Sequence, residues 1–138
     1  MNAIVVDASV ALAWCFPDEA SNYADSVLVA IETQTLIVPA IWAVEIANAL
    51  LVGERRKRIR QPDVRRFVEL LKDLNIAEDA QAVADTVNNI FPLAQKYRLS
   101  AYDAAYLDVA VRRDIPLATL DGDLQKAALA AGIKTFKI

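Results

Sequence analysis

Ala3-Ile4-Val5-Val6-Asp7 near one end of the chain and Pro116-Leu117-Ala118-Thr119-Leu120-Asp121 near the other carry most of the architectural information. Each is a short unbroken apolar run, the pattern of a strand buried on both faces as in a parallel sheet. Each run stops at an aspartate and passes into helical sequence. Ligands of open α/β sheets collect at the carboxyl ends of the strands, so Asp7 and Asp121 face one crevice if their strands are neighbours.

Strands and helices alternate between these two runs. A short helix is predicted over Ala8–Phe16, ended by Pro17, and a second where Ala20, Tyr23, Ala24, Val27, Leu28 and Ile31 recur at helical spacing. Thr35–Val38 reads as a strand, and Pro39 suits the start of a helix running from about Ala40 to Arg56. A further helix opens at Pro62 and Asp63, with Val64, Phe67, Val68, Leu71 and Leu74 on one stripe and charge opposite. A weak strand is expected near Ile76, then helical sequence to Leu99 with a kink or break at Pro92, and a helix over Ala101–Arg113 capped by Ser100. After the Pro116 strand come a helix from Asp123 to Ala131, stopped at Gly132, and a last strand at Lys134–Lys137. The expectation is a three-layer α/β/α sandwich with a mostly parallel sheet of four or five strands, forming one domain over 1–138.

Bulk properties narrow the function classes. The 138 residues are 56% hydrophobic with only three glycines, which suits a globule with one core and excludes low-complexity sequence. The single Cys15 has no internal disulfide partner, and its neighbours Trp14 and Phe16 mark it as a core thiol, in keeping with a reducing cytoplasm. Asp7 interrupts the first apolar stretch, which argues against a signal peptide, and no run is long enough to cross a bilayer. A net charge of −3 provides no global attraction to nucleic acid. The absence of histidine excludes Ser-His-Asp and Cys-His triads, histidine-ligated zinc and imidazole proton shuttles.

What remains is carboxylate chemistry. Glu45 and Asn48 are the only polar side chains between Ala40 and Val52, a helix apolar nearly all round and therefore expected to be largely buried. A buried ionised carboxylate costs several kcal/mol unless something compensates it, whether an arginine, a retained proton or a metal. Asn48, one turn on, is placed to support Glu45 or a metal-bound water. Asp103 sits in the first turn of its helix and heads the stripe Tyr106, Leu107, Ala110 and Val111, whereas Asp108 points away, as an ordinary surface acid paired with Arg112. Asp7, Asp103 and Asp121 each serve equally well as helix-start residues, with Asp123 competing with Asp121 as a cap. Taken together, two acids at strand ends and two on core-facing helix surfaces match an all-oxygen site for Mg²⁺ or Mn²⁺.

At this point the chain resembles the PIN-domain family of metal-dependent ribonucleases, and within it the VapC-type toxins of type II toxin–antitoxin systems. The resemblance rests on Ile4-Val5-Val6-Asp7-Ala8-Ser9, on Pro39 followed by Glu45-Ile46-Ala47-Asn48-Ala49-Leu50, on Ser100-Ala101-Tyr102-Asp103-Ala104-Ala105-Tyr106, and on Pro116–Leu124. It spans nearly the full chain. It implies a sheet of order 3-2-1-4-5, a metal pocket of Asp7, Glu45, Asp103 and Asp121, and Ser9 and Thr119 as hydroxyls that orient those acids. It leaves Asp123 between metal ligand and helix cap. It further implies an RNA substrate cleaved by metal-activated water, a homodimer, and a cognate VapB-type antitoxin through which DNA is contacted only indirectly.

Arg55, Arg56, Lys57, Arg58 and Arg60 form a basic segment at the end of the Glu45 helix, either complementing the helix terminus or gripping RNA phosphates. Two other enzyme or signalling classes place acids after a first strand. A haloacid-dehalogenase phosphatase needs a second aspartate where Ser9 stands, and a receiver domain needs an acidic pair at that strand end. A noncatalytic binding module for RNA or a protein is the remaining alternative.

Overall fold

The computed structural model describes residues 2–137. Strand β1 (Ala3–Val6) is buried along its whole length, as an unbroken apolar run requires when helices cover a sheet on both faces. It pairs in parallel with β2 (Thr35–Pro39) on one side and with β4 (Leu117–Ala118) on the other, in the registers Ile4↔Leu36 and Val6↔Ala118. The Asp7 and Asp121 strands are therefore neighbours. A third strand, β3 (Ile76–Asp79), joins β2 in parallel, so the order is β3-β2-β1-β4. The expected last strand is reduced to one bridge, Thr135 to Leu117, because β4 itself is short, although backbone bonds from Leu117 to Lys134 and from Phe136 to Leu117 keep the tail at that edge.

The helices are α1 (Ala8–Ala13), α2 (Asn22–Ala30), α3 (Ile41–Arg55), α4 (Gln61–Asp73), α5 (Val83–Tyr97), α6 (Ala101–Arg113) and α7 (Gly122–Ala130). Helix α6 lies across β2, β1 and β4 with α5 packed on it, while α1 packs against α2 and α3. The α6 bounds coincide with expectation because Ser100 caps it, accepting from the Asp103 N–H, and Asp114 closes it in a left-handed conformation. Elsewhere the ends differ. Helix α1 stops at Ala13, and a 3-10 turn over Pro17–Glu19 follows. Helix α5 runs through Pro92 without breaking, since the lost N–H falls on an exposed stretch of the helix.

Two sequence expectations are corrected by the packing. Helix α3 buries only Trp42, Ile46, Leu50 and Gly53, leaving Val44 63% and Leu51 46% exposed, so its all-round apolarity reflects an uncovered face rather than deep burial. Asp108 does pair with Arg112, but it is buried at 2% exposure, because β3 brings a second acid, Asp79, to the same guanidinium. Gly53 explains how α3 approaches the end of α1. A Cβ there would stand 2.5 Å from the Phe16 ring, so only glycine admits that contact.

Candidate functional site

The acids meet where β1 and β4 end. Asp7 follows β1, is 6% exposed, and caps α1 by accepting from the Ser9 N–H at 3.3 Å. Its Oδ2 also accepts from the Ser9 hydroxyl at 3.0 Å and the Thr119 hydroxyl at 2.6 Å. Thr119 is fully buried beside the end of β4, and its oxygen in turn accepts from the Asp121 N–H at 3.0 Å. One hydroxyl thus ties Asp7 and Asp121, from opposite ends of the chain, together. The Asp7 carboxylate caps α1 and accepts from two further hydroxyls at once.

Asp121 is the N-cap of α7, accepting from the Asp123 N–H at 3.0 Å. Asp123 contributes its backbone to that cap, while its own side chain is exposed. Asp103 stands in the first turn of α6, half-buried. Burial raises its pKa, and the nearby charges of Asp121 and Asp7 raise it further. Glu45, on α3, is also raised, first by burial and then by Asp7 and Asp103, against the opposing effect of a hydrogen bond. Asp7, Glu45, Asp103 and Asp121 thus lie near enough to one another for their charges to interact.

That hydrogen bond comes from Tyr106, whose hydroxyl donates to Glu45 Oε1 at 2.6 Å. Tyr106 is fully buried, and that burial, together with the bond to Glu45, drives its own pKa far up. Tyr106 orients the Glu45 carboxylate without cancelling its charge, a partner that the sequence reading did not include. The available signal was spacing, because Tyr106 lies three residues after Asp103 on the same face of α6. Asn48, by contrast, is exposed and makes no hydrogen bond to Glu45.

A second set of buried acids shows what the four lack. Asp79 is 5% exposed and receives both Arg112 and Arg113, the latter at 2.6 Å. Burial alone would raise its pKa, but the two guanidiniums outweigh burial and hold it below the usual carboxylate value. Asp108 accepts from Arg112 Nε at 3.0 Å and from Gln81 at 3.0 Å, with Asn89 bracing Gln81. This fold supplies arginines to acids it buries for structural reasons. Among the described residues, no lysine or arginine pairs with Asp7, Glu45, Asp103 or Asp121.

Hydroxyls orient these acids without neutralising them, which leaves an uncompensated negative well. Among the described residues, no three acidic or cysteine side chains close tightly around a single point as a metal cage would. The donor set nonetheless suits a hard cation, since it consists of carboxylate and hydroxyl oxygens with no soft ligand among them.

The basic segment divides. Arg58 bonds Asp18 at 2.9 Å and Glu19 at 2.6 Å and lies over the Phe16 ring, pinning the end of α3 to the turn after α1. Arg55, Arg56, Lys57 and Arg60 are exposed without ion-pair partners among the described residues. Ten residues of helix separate Arg55 from Glu45, roughly 15 Å along the axis. No helix among the described residues is long and apolar enough to cross a membrane.

Residues 4–129 match the family described as PIN domain. The protein named Ribonuclease VapC3 from Pyrobaculum aerophilum is 34% identical over 121 residues, covering 88% of this chain and 91% of its own. Among solved structures, PAE2754 from Pyrobaculum aerophilum superposes with a TM-score of 0.67 at 23% identity, over 91% of this chain and 79% of that one. VapBC2 from Rickettsia felis, solved bound to a DNA fragment from its promoter, superposes with a TM-score of 0.59 at 12% identity, over 86% and 87% respectively. At these identities the two structures speak for the fold alone.

Proposed function

This chain belongs to the PIN domain family, and we propose that it is a Mg²⁺- or Mn²⁺-dependent endoribonuclease acting as the toxin of a VapBC-type toxin–antitoxin pair. The carrying observation is the contrast between two acid sets in one molecule. Arginines neutralise Asp79 and Asp108, whereas Asp7, Glu45, Asp103 and Asp121 face one another with only hydroxyl donors and backbone caps to orient them. Like charges held together in this way favour either protons or a cation.

In this reading Asp7, Asp103 and Asp121 hold the ion, with Glu45 as a further ligand or a holder of its water and Asp123 at the rim. When bound, the ion supplies an activated water and stabilises charge on the scissile phosphate. The chain's own part is positional. Ser9 and Thr119 fix the Asp7 carboxylate, and Tyr106 fixes that of Glu45. No protein nucleophile is needed. Arg55, Arg56, Lys57 and Arg60 lie within reach of phosphates some distance along a bound strand.

The proposal includes a cognate VapB-type antitoxin, with DNA contacted through that partner, a cytoplasmic setting and a homodimer. Support for self-association is the stripe of Val83, Val87 and Phe91 on α5, exposed by 84%, 60% and 59%. These residues lie one turn apart on a single face, as an interface helix requires. The test of the activity is incubation of wild-type protein and Asp7→Asn with total RNA, in Mg²⁺, Mn²⁺ or chelator, followed by end mapping. The expected products carry 5′-phosphate and 3′-hydroxyl ends and are absent with chelator and in the variant. Cyclic phosphate ends, or full cleavage by a folded Asp7→Asn protein, would overturn the mechanism; absence of both cleavage and metal binding would favour a noncatalytic binding module.

A further inference from the structure

A cleft of about 480 Å³ opens between the end of α5 and α7, lined by Lys96, Tyr97, Arg98, Asp123 and Lys126 among others. From it we infer an RNA-backbone subsite, in which Lys96, Arg98 and Lys126 grip phosphates of the strand that leads into the acidic site. The inference rests on the nuclease reading for the identity of the strand, and on the structure for the site.

The cleft shares a wall with the acids. Asp123 lines it, and the Asp123 N–H bonds the Asp121 carboxylate at 3.0 Å. Arg98 closes α5 only two residues before Ser100, the cap of the helix that carries Asp103. Lys126 follows Asp121 by five residues on α7, roughly 7 Å along the helix. The cluster at the end of α3 lies about twice as far from its nearest acid, so the cleft holds the cations best placed for phosphates flanking the scissile bond.

These cations are also free to act. Arg58, Arg66, Lys72, Arg112 and Arg113 are committed to ion pairs, but Lys96, Arg98 and Lys126 form none among the described residues, and all three are exposed. An attraction this local is needed in a chain of net charge −3 whose active acids repel the substrate. Tyr97 adds a half-buried ring, with Lys96 Nζ 5.4 Å from its centroid, the pairing of cation and aromatic surface that single strands use. Helix-end complementarity explains Lys96 and Arg98, which stand in the last turn and at the C-cap of α5. It does not explain why Lys126, at the middle of α7, faces the same space.

The test is fluorescence anisotropy of a short labelled single-stranded RNA bound in chelator over a series of salt concentrations. It compares wild type, the triple variant Lys96→Ala/Arg98→Asn/Lys126→Ala, and a charge-matched control, Arg65→Ala/Lys134→Ala/Lys137→Ala. Asparagine is chosen at Arg98 because that residue has φ 54°, where asparagine is tolerated. The cleft triple should raise Kd about tenfold or more and reduce the salt slope by about two, at about 0.7 per phosphate contact on a single strand. The control should leave the slope near wild type. Lys126→Glu alone, at an exposed helical position, should weaken binding in the same direction and serves if the triple variant unfolds. An unchanged slope in the cleft variants, or an equal fall in the control, would overturn the subsite. Binding that depends on the cleft in a protein that never cleaves RNA with Mg²⁺ or Mn²⁺ would instead sink the nuclease reading and leave the subsite standing.

Discussion

Arg112→Met is the sharpest test of the claim that one acid set is structural and the other is not. Asp79 and Asp108 are 5% and 2% exposed, and Arg112 bonds both. Without it, Asp108 keeps only Gln81 at 3.0 Å, while Asp79 retains Arg113 at 2.6 Å. Removing one partner of a buried pair costs about 3–5 kcal/mol. The Arg112 side chain is itself 30% exposed, so water softens the loss and the lower end, about 3 kcal/mol, is expected. For a chain of this size that corresponds to a fall in Tm of about 10 °C, or about 1.5 M in the urea midpoint at a slope near 2 kcal/mol/M. Adding Asp108→Asn should recover a large part of the loss, because a neutral amide no longer needs the guanidinium. Asp103→Asn should behave oppositely, leaving the metal-free protein at least as stable as wild type, since its carboxyl is raised by burial and by the charges of Asp121 and Asp7. The reasoning is refuted if Arg112→Met costs less than about 1 kcal/mol, or if Asp103→Asn destabilises the metal-free protein as much.

Three further outcomes are expected. In metal-free protein, stability should rise as pH falls from neutral into the mildly acidic range, because Glu45 and Asp103 have raised folded pKa values and their destabilising charges are lost on protonation. It should then fall below about the ordinary aspartate value of 3.8, where the depressed Asp79 takes its proton; urea melts across pH with and without Mn²⁺ test both limbs, and Mn²⁺ should abolish the first. Tyr106→Phe should weaken Mn²⁺ binding measured by calorimetry by about tenfold, the usual loss when an outer partner of a ligand is removed, and an unchanged affinity would deny Tyr106 its positioning role. Gly53→Ala should cost about 1–3 kcal/mol in urea unfolding, because its Cβ meets the Phe16 ring at 2.5 Å, and Phe16→Leu in the same background should relieve part of that cost.

Local chemistry made much of this protein legible before its fold was known. Unbroken apolar runs predicted β1, β2 and β4, and Ser100 marked the start of α6, because backbone burial and capping are decided within a few residues. The same reading nominated Asp7, Glu45, Asp103 and Asp121, which lie near enough for their charges to interact. Charge compensation was not legible, since it depends on residues distant in sequence. Asp79 ends β3 as Asp7 ends β1, and a rule about strand ends treats the two alike. Only the tertiary structure separates them, by bringing Arg112 and Arg113 across 33 and 34 positions to Asp79 while bringing Thr119 across 112 to Asp7. A guanidinium cancels an acid's charge, whereas a hydroxyl aims it and leaves it intact. Sequence therefore determined which acids stand at the ends of strands and helices, and the packing of α6 and β4 decided which of them meet a counter-charge.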